Sequence, residues 1–221
     1  MKFIKLVSVF TLLLVSLSTQ AQHGWRDGNR VGLLGGINTT SLITENVNAK
    51  PEMGWTAGLQ VRGNMYNYWS GVYGIRFIES NFSVNSKSLL SRNQEINYKL
   101  IAAQVHFLFS YNVIEDVMSF DFGPVLQINS DLKFKKGYEK YRIQDSNFIV
   151  EDLKKVTPFN ALAYVGTTIG GRVVRVNINY TIGINNFFNR LNNQENVVEK
   201  NDGDNLKARM GVLSGQLQIN L

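Results

Sequence analysis

Apolar and polar residues alternate along much of the chain. Residues 54–65 read GWTAGLQVRGNM, with Trp55, Ala57, Leu59, Val61, Gly63 and Met65 on one face and Thr56, Gly58, Gln60, Arg62 and Asn64 on the other. Residues 174–185 read VRVNINYTIGIN and put Val174, Val176, Ile178, Tyr180, Ile182 and Ile184 opposite Arg175, Asn177, Asn179, Thr181, Gly183 and Asn185. In KLIAAQVHFLFSY, 99–111, Ile101, Ala103, Val105, Phe107, Phe109 and Tyr111 oppose Ala102, Gln104, His106, Leu108 and Ser110. Side chains of a strand alternate between its faces, so a period of two predicts strands. Weaker segments at 30–40, 70–82, 119–130, 158–171 and 207–221 raise the predicted number to eight. Each reaches the roughly 9–11 residues that a tilted strand needs to cross a bilayer.

The connections carry a second pattern. Long gaps fall at 41–53, 83–97, 131–157 and 186–206, and short ones at 66–69, 112–118 and 171–172. Long and short alternate along the chain. In an up-and-down barrel that collects every long loop at one end and every short turn at the other, as in outer-membrane barrels. The expected fold is therefore all-β, an eight-stranded antiparallel up-and-down transmembrane β-barrel.

Alternation does not say which face points outward, since a soluble barrel buries its apolar face. Two features favour apolar-out. The polar faces carry Arg62, Arg76, Arg175, Asp121, His106, Gln60, Gln104, Asn177 and Asn179, interleaved with Gly58, Gly74, Gly123 and Gly183. Such a mixture suits a narrow, packed, polar lumen. Aromatic residues also gather near strand ends: Tyr66, Tyr68, Trp69, Tyr111 and Phe120 at the short turns, and Trp55, Tyr98, Phe159, Phe187 and Phe188 at the long loops. Two such bands would mark the membrane interfaces.

The start of the chain reads differently. Lys2 and Lys5 precede an apolar run at 6–17, followed by Ser18-Thr19-Gln20-Ala21. This is the layout of a cleaved secretory signal peptide, expected at 1–21, with a short tail at 22–29 before a barrel at 30–221. Cysteine is absent, and a barrel closed by its own hydrogen bonds needs no disulfides. The net charge of +6 falls to +4 once Lys2 and Lys5 leave. Export argues against nucleic acid as the anionic partner and for outer-membrane lipid, including lipopolysaccharide phosphates.

With these features in view, VGLLGGIN, GVYGIRF, the KLIAAQVHFLFSY strand, FDFGPVL and NINYTIGINNF together resemble the PorT-like outer-membrane β-barrel family of Bacteroidetes. The resemblance spans nearly the whole exported chain. It implies an outer-membrane barrel of a Gram-negative cell, and by analogy with the family's namesake an accessory role in protein secretion with other envelope proteins as partners. One departure is Leu221, where the family tends to end on Phe.

Candidate chemistry is sparse. The chain has His23 and His106 and no other histidine, the former in the expected tail and the latter mid-strand. Acid–base or nucleophilic catalysis usually requires a base at a reachable rim. No enzyme, cofactor or metal site is expected; NDGDN at 201–205 lacks the later bidentate Glu of a calcium loop and reads as a polar turn. The residues singled out are a lumen polar network of Arg62, Arg76, His106, Asp121 and Arg175, expected to keep the lumen closed, and a candidate lipopolysaccharide-facing loop with Lys133, Lys135, Lys136, Lys140 and Arg142. The competing functions are a small porin and a lipid- or lipopolysaccharide-binding barrel.

Overall fold

The structure, a computed structural model, describes residues 29–88, 91–115, 117–144 and 146–221. The expected signal peptide and the tail with His23 lie outside the described residues. The strands are β1 (Arg30–Thr44), β2 (Ala49–Tyr66), β3 (Trp69–Ser88), β4 (Ser91–Ile114), β5 (Met118–Asn129), the two-residue β6 (Arg142–Ile143), β7 (Phe159–Gly170), β8 (Val174–Gly183) and β9 (Ala208–Asn220). All except β6 form a ring in the order β1-β2-β3-β4-β5-β7-β8-β9, and antiparallel β1–β9 and β2–β3 ladders close it. The fold is an eight-stranded antiparallel up-and-down barrel, with neither sheet edge left open through the wall.

Within the wall the two faces differ as the alternation requires. Leu59, Ile75, Val105, Phe107, Leu126, Val176, Ile178 and Leu217 point outward and are exposed, while Gln60, Arg62, Arg76, Gln104, Asp121, Asn177, Asn179 and Gln216 are buried inside. Water would penalise such an apolar exterior, whereas lipid does not. This inside-out polarity is that of a transmembrane barrel. Inward glycines let the wall curl tightly: a Cβ on Gly58 would strike the Ile75 carbonyl, and one on Gly74 the Leu59 carbonyl. Pro124 lacks an N–H, and the β4–β5 ladder is interrupted at Gly123-Pro124, between His106↔Val125 and Phe109↔Phe122. The short turns gather at one end; one of them bends at Asn67, whose φ of 50° lies in the left-handed region that Asn tolerates.

Two expectations need correction at the other end. The gaps expected at 41–53 and 83–97 are largely strand. β2 continues along β3 to Ala49↔Val84, and β3 along β4 to Ser88↔Ser91, so the wall rises above the belt as a long hairpin. Pairing there depends on the backbone, which forms the same ladder under Asn, Ser and Lys side chains that read as loop. Secondly, Tyr98, Phe187 and Phe188 do not belong to an aromatic band. They are buried, and only Trp55 and Phe159 of the expected upper set face outward.

These rings join an apolar core that fills the long-loop mouth. Phe82, Val84, Ile96, Tyr98 and Leu100 come from the wall, Leu132, Phe148, Val150, Leu153 and Val156 from the loop after β5, and Phe187, Phe188, Leu191, Val197 and Leu206 from the loop after β8. Phe82 stacks on Tyr98 at 5.3 Å, Phe134 meets Tyr98 edge-on at 5.7 Å, and the Tyr98 hydroxyl donates to the Val150 carbonyl at 2.8 Å. Burying one such side chain is worth roughly 1.5–3 kcal/mol, enough together to fold both loops over the opening. The barrel is thus polar inside the belt and apolar inside the mouth.

Candidate functional site

Inward polar residues of neighbouring strands form connected networks below the apolar mouth. The first centres on Asp121 of β5. Arg62 of β2 reaches across the lumen, its Nη2 3.3 Å from Asp121 Oδ1 and 3.1 Å from Ser119 Oγ, while its Nη1 donates to Ser110 Oγ at 2.5 Å. Ser110 and Ser119 also donate to Asp121 Oδ1, and Thr168 donates to Oδ2 at 2.5 Å. Asn177 Nδ2 donates to Thr168 Oγ1 at 2.9 Å, and Tyr164 Oη to Asn177 Oδ1 at 3.1 Å. Both charges of the Arg62–Asp121 pair are almost wholly shielded from solvent, with side-chain exposures of 1% and 3%. Such a pair is tolerated only when its remaining lone pairs are also satisfied, and the three hydroxyls on Asp121 do that.

A second relay starts at Arg76 of β3. Its Nε donates to Gln104 Oε1 at 2.6 Å, Gln104 to Gln127 at 2.5 Å, Gln127 to Asn129 at 2.6 Å, Asn129 to Asn160 at 2.6 Å, and Asn160 to Asn185 at 3.0 Å. Among the described residues Arg76 has no carboxylate within ion-pair distance; its guanidinium lies over the Tyr164 ring at 5.4 Å, where the π face offers negative potential. Toward the short turns Gln60 donates to Gln218 at 2.7 Å, Gln218 to Asn220 at 2.6 Å, and Asn220 to the Arg172 carbonyl at 2.7 Å.

The five lumen residues singled out from the sequence therefore occupy different settings. Arg62 and Asp121 are joined directly. Arg76 lies in the lumen but is held by an amide and a ring. Arg175 is buried and turned toward the short-turn end, where its Nε donates to the Gly171 carbonyl at 3.1 Å. His106 is 2% exposed, and neither ring nitrogen has a hydrogen-bond partner among the described residues. The serines and threonine that complete the Asp121 site, and the Gln and Asn relay, were not singled out. Their inward period was the available signal, but alternation ranks no polar residue above another.

The basic loop after β5 is folded rather than open. Its buried Leu132, Ile143, Phe148, Val150 and Leu153 anchor it in the mouth, and β6 pairs with Ser86 and Lys87 of β3. Lys133, Lys135, Lys136 and Lys140 remain exposed. Arg142 is exposed as well, with its guanidinium held along the loop, donating to the Ser146 carbonyl at 3.0 Å and to Asn147 Oδ1. Above the belt, the hydrogen bonds that Glu95 receives from Lys50 and Ser83, with the Lys50 charge beside it, hold its carboxyl below the ordinary carboxylate range.

Chemically, this interior can hold charges and close a passage. The hydroxyls that donate to Asp121 are buried in the lumen together with its carboxylate, and the described residues form no cluster of three or more metal-ligating side chains.

No protein-family model and no curated protein sequence matches the chain. Among solved structures it is similar to Neisserial surface protein A (TM-score 0.48, 10% identity, covering 87% of this chain and 98% of that one). It is similar also to Ail, the attachment invasion locus protein of Yersinia pestis (0.44, 8%, 88% and 99%), and to the outer membrane protein OprG from Pseudomonas aeruginosa (0.42, 10%, 90% and 98%).

Proposed function

We propose that this chain is a non-enzymatic, closed barrel of a Gram-negative outer membrane, whose working surface is the folded cap at its long-loop end. The lumen network carries this reading. Arg62, Asp121 and the amide relay span the interior, and an apolar core seals the mouth above them. An eight-stranded barrel is about the width that side chains can fill. The belt of exposed Leu, Ile, Val and Phe with aromatic ends supports lipid as its surroundings, and the asymmetry between an end of short turns and an end with extended strands and two long folded loops supports the outer membrane. The porin alternative requires a continuous wet path. Reconstituted into a planar bilayer at neutral pH, the protein should leave the membrane resistance unchanged. Stable single-channel steps that scale with salt would reject a closed lumen.

The finer reading is an accessory role in protein secretion, with envelope proteins as partners. The resemblance of GVYGIRF, FDFGPVL and NINYTIGINNF to the PorT-like family supports it, and a folded cap with a defined shape is suited to contact. Deleting the gene from its host should then deplete proteins released across the outer membrane, as read by quantitative proteomics of the culture medium. An unchanged secretome would limit the chain to the structural reading.

A further inference from the structure

The outer rim carries a charge arrangement that the lumen and the cap do not explain. An isolated bridge sets Lys99 of β4 directly opposite Lys133, with backbone hydrogen bonds of 2.8 and 2.9 Å in both directions. Directly opposed residues have Cβ atoms about 4.5–5.5 Å apart, and like charges in such a pair repel. The nearby anionic groups are already engaged. Glu79 meets Lys99 Nζ at 3.1 Å and also accepts from Trp55 Nε1 and Asn81 Nδ2 at 3.1 Å each, and Glu52 accepts from Ser83 Oγ at 3.0 Å. Lys133 and Lys135 have no anionic partner among the described residues. These lysines line an open cleft of about 380 Å³ together with Met53, Tyr98, Phe134 and the two carboxylates Glu52 and Glu79.

Its height on the barrel identifies the occupant. Lys99 lies two residues above Ile101 on the same outward face, and Trp55 on β2 points outward beside it. The cleft therefore opens where the apolar belt ends, at the level of lipid headgroups, with exposed Met53 at its edge and Phe134 packed on Tyr98 at its inner side. We infer that it seats a phosphate of an outer-leaflet glycolipid headgroup, with Lys99 and Lys133 sharing the phosphate oxygens, Lys135 closing over them, and the acyl chains running down the belt. Glu79 already answers the Lys99 charge, and a shared anion supplies the counter-charge that Lys133 and Lys135 lack among the described residues. The inference rests on the reading that the barrel lies in an outer membrane. It selects Lys99, Lys133 and Lys135, and leaves out Lys136, Lys140 and Arg142.

The test is native mass spectrometry of the refolded full-length exported chain in detergent micelles doped with bis-phosphorylated lipid A. The wild type should retain the lipid, and K99Q/K133Q should bind it about tenfold or more weakly, as expected for losing two charge-assisted contacts. K99R/K133R should bind it, and the charge-matched K136Q/K140Q should equal wild type. Should K99Q/K133Q fail to fold, K133Q/K135Q, both in the loop, carries the same expectation. Equal loss in K136Q/K140Q, no loss in K99Q/K133Q, or equal binding of dephosphorylated lipid A would overturn the site. Displacement of lipid A by millimolar inorganic phosphate would show a free-phosphate site and overturn the lipid assignment. Heat-modifiable gel migration separates the two readings: a barrel that keeps it but ignores the phosphates refutes the cleft alone, whereas a chain that never shows it and stays out of lipid refutes the membrane reading itself.

Discussion

Replacing Asp121 by Ala should destabilise the folded barrel by about 3–5 kcal/mol, the cost of leaving a buried charge without its partner. Arg62 has 1% side-chain exposure and cannot turn to water without leaving the lumen. Its guanidinium would keep the hydroxyls of Ser110 and Ser119, which are neutral, while Thr168 would lose its acceptor. Asp121→Asn keeps the size and part of the hydrogen bonding and should fall between wild type and Ala. In a double-mutant cycle with Arg62→Gln the coupling should reach 0.5–3 kcal/mol, since the groups touch. Urea titration of the protein folded in lipid vesicles measures all four forms. An Asp121→Ala variant within about 1 kcal/mol of wild type would mean that the pair does not organise the lumen, and would remove the main ground for a closed barrel.

Ile178→Arg should cost about 2–4 kcal/mol in the same assay, the penalty for a basic side chain at the middle of a lipid-facing strand. The position isolates the effect of the surroundings. Ile178 is central in β8, 54% exposed, and flanked across the sheet by Thr167 and Gly215, so an Arg there meets no crowding from the protein. On a water-exposed surface the same change should fall within about 0.5 kcal/mol. Ile184 supplies the control. It is 60% exposed just beyond the end of β8, at the rim, and Ile184→Arg should cost only about 0–1 kcal/mol. A depth-independent pair of small effects would contradict burial of the belt in lipid.

The legibility of the fold differs between the belt and the mouth for a physical reason. In the belt, lipid on one side and a packed polar interior on the other force every second residue to the same character. The segment at 174–185 therefore revealed β8 and both its faces, as 99–111 did for the lower part of β4. Above the belt that constraint ends. Lys50, Ser83, Asn85 and Glu95 sit on paired strands but read as loop, because water accepts them. Tyr98, Phe187 and Phe188 sit near strand ends as interface aromatics do, yet point inward. Their direction depends on what the loops bring to the mouth, and no local period encodes it.

The same division holds for the sites. Inward placement of Arg62, Arg76, His106, Asp121 and Arg175 follows from alternation, but their partners do not. Stagger between strands decides that Arg62 meets Asp121, 59 positions away, while Arg76 meets Gln104 and Tyr164 and His106 meets no hydrogen-bonding partner among the described residues. Lys133 and Lys135 were legible as part of a basic loop, but Lys99 was not, because it belongs to a different element and joins them through one bridge. By itself the sequence determined the number of wall strands and the polarity of the wall, since a two-residue period and a bilayer's thickness act locally on each segment. Only the tertiary structure decided which charges meet, how the mouth is sealed and where the rim lysines oppose each other, since these depend on strand stagger and on loops folding back across the barrel.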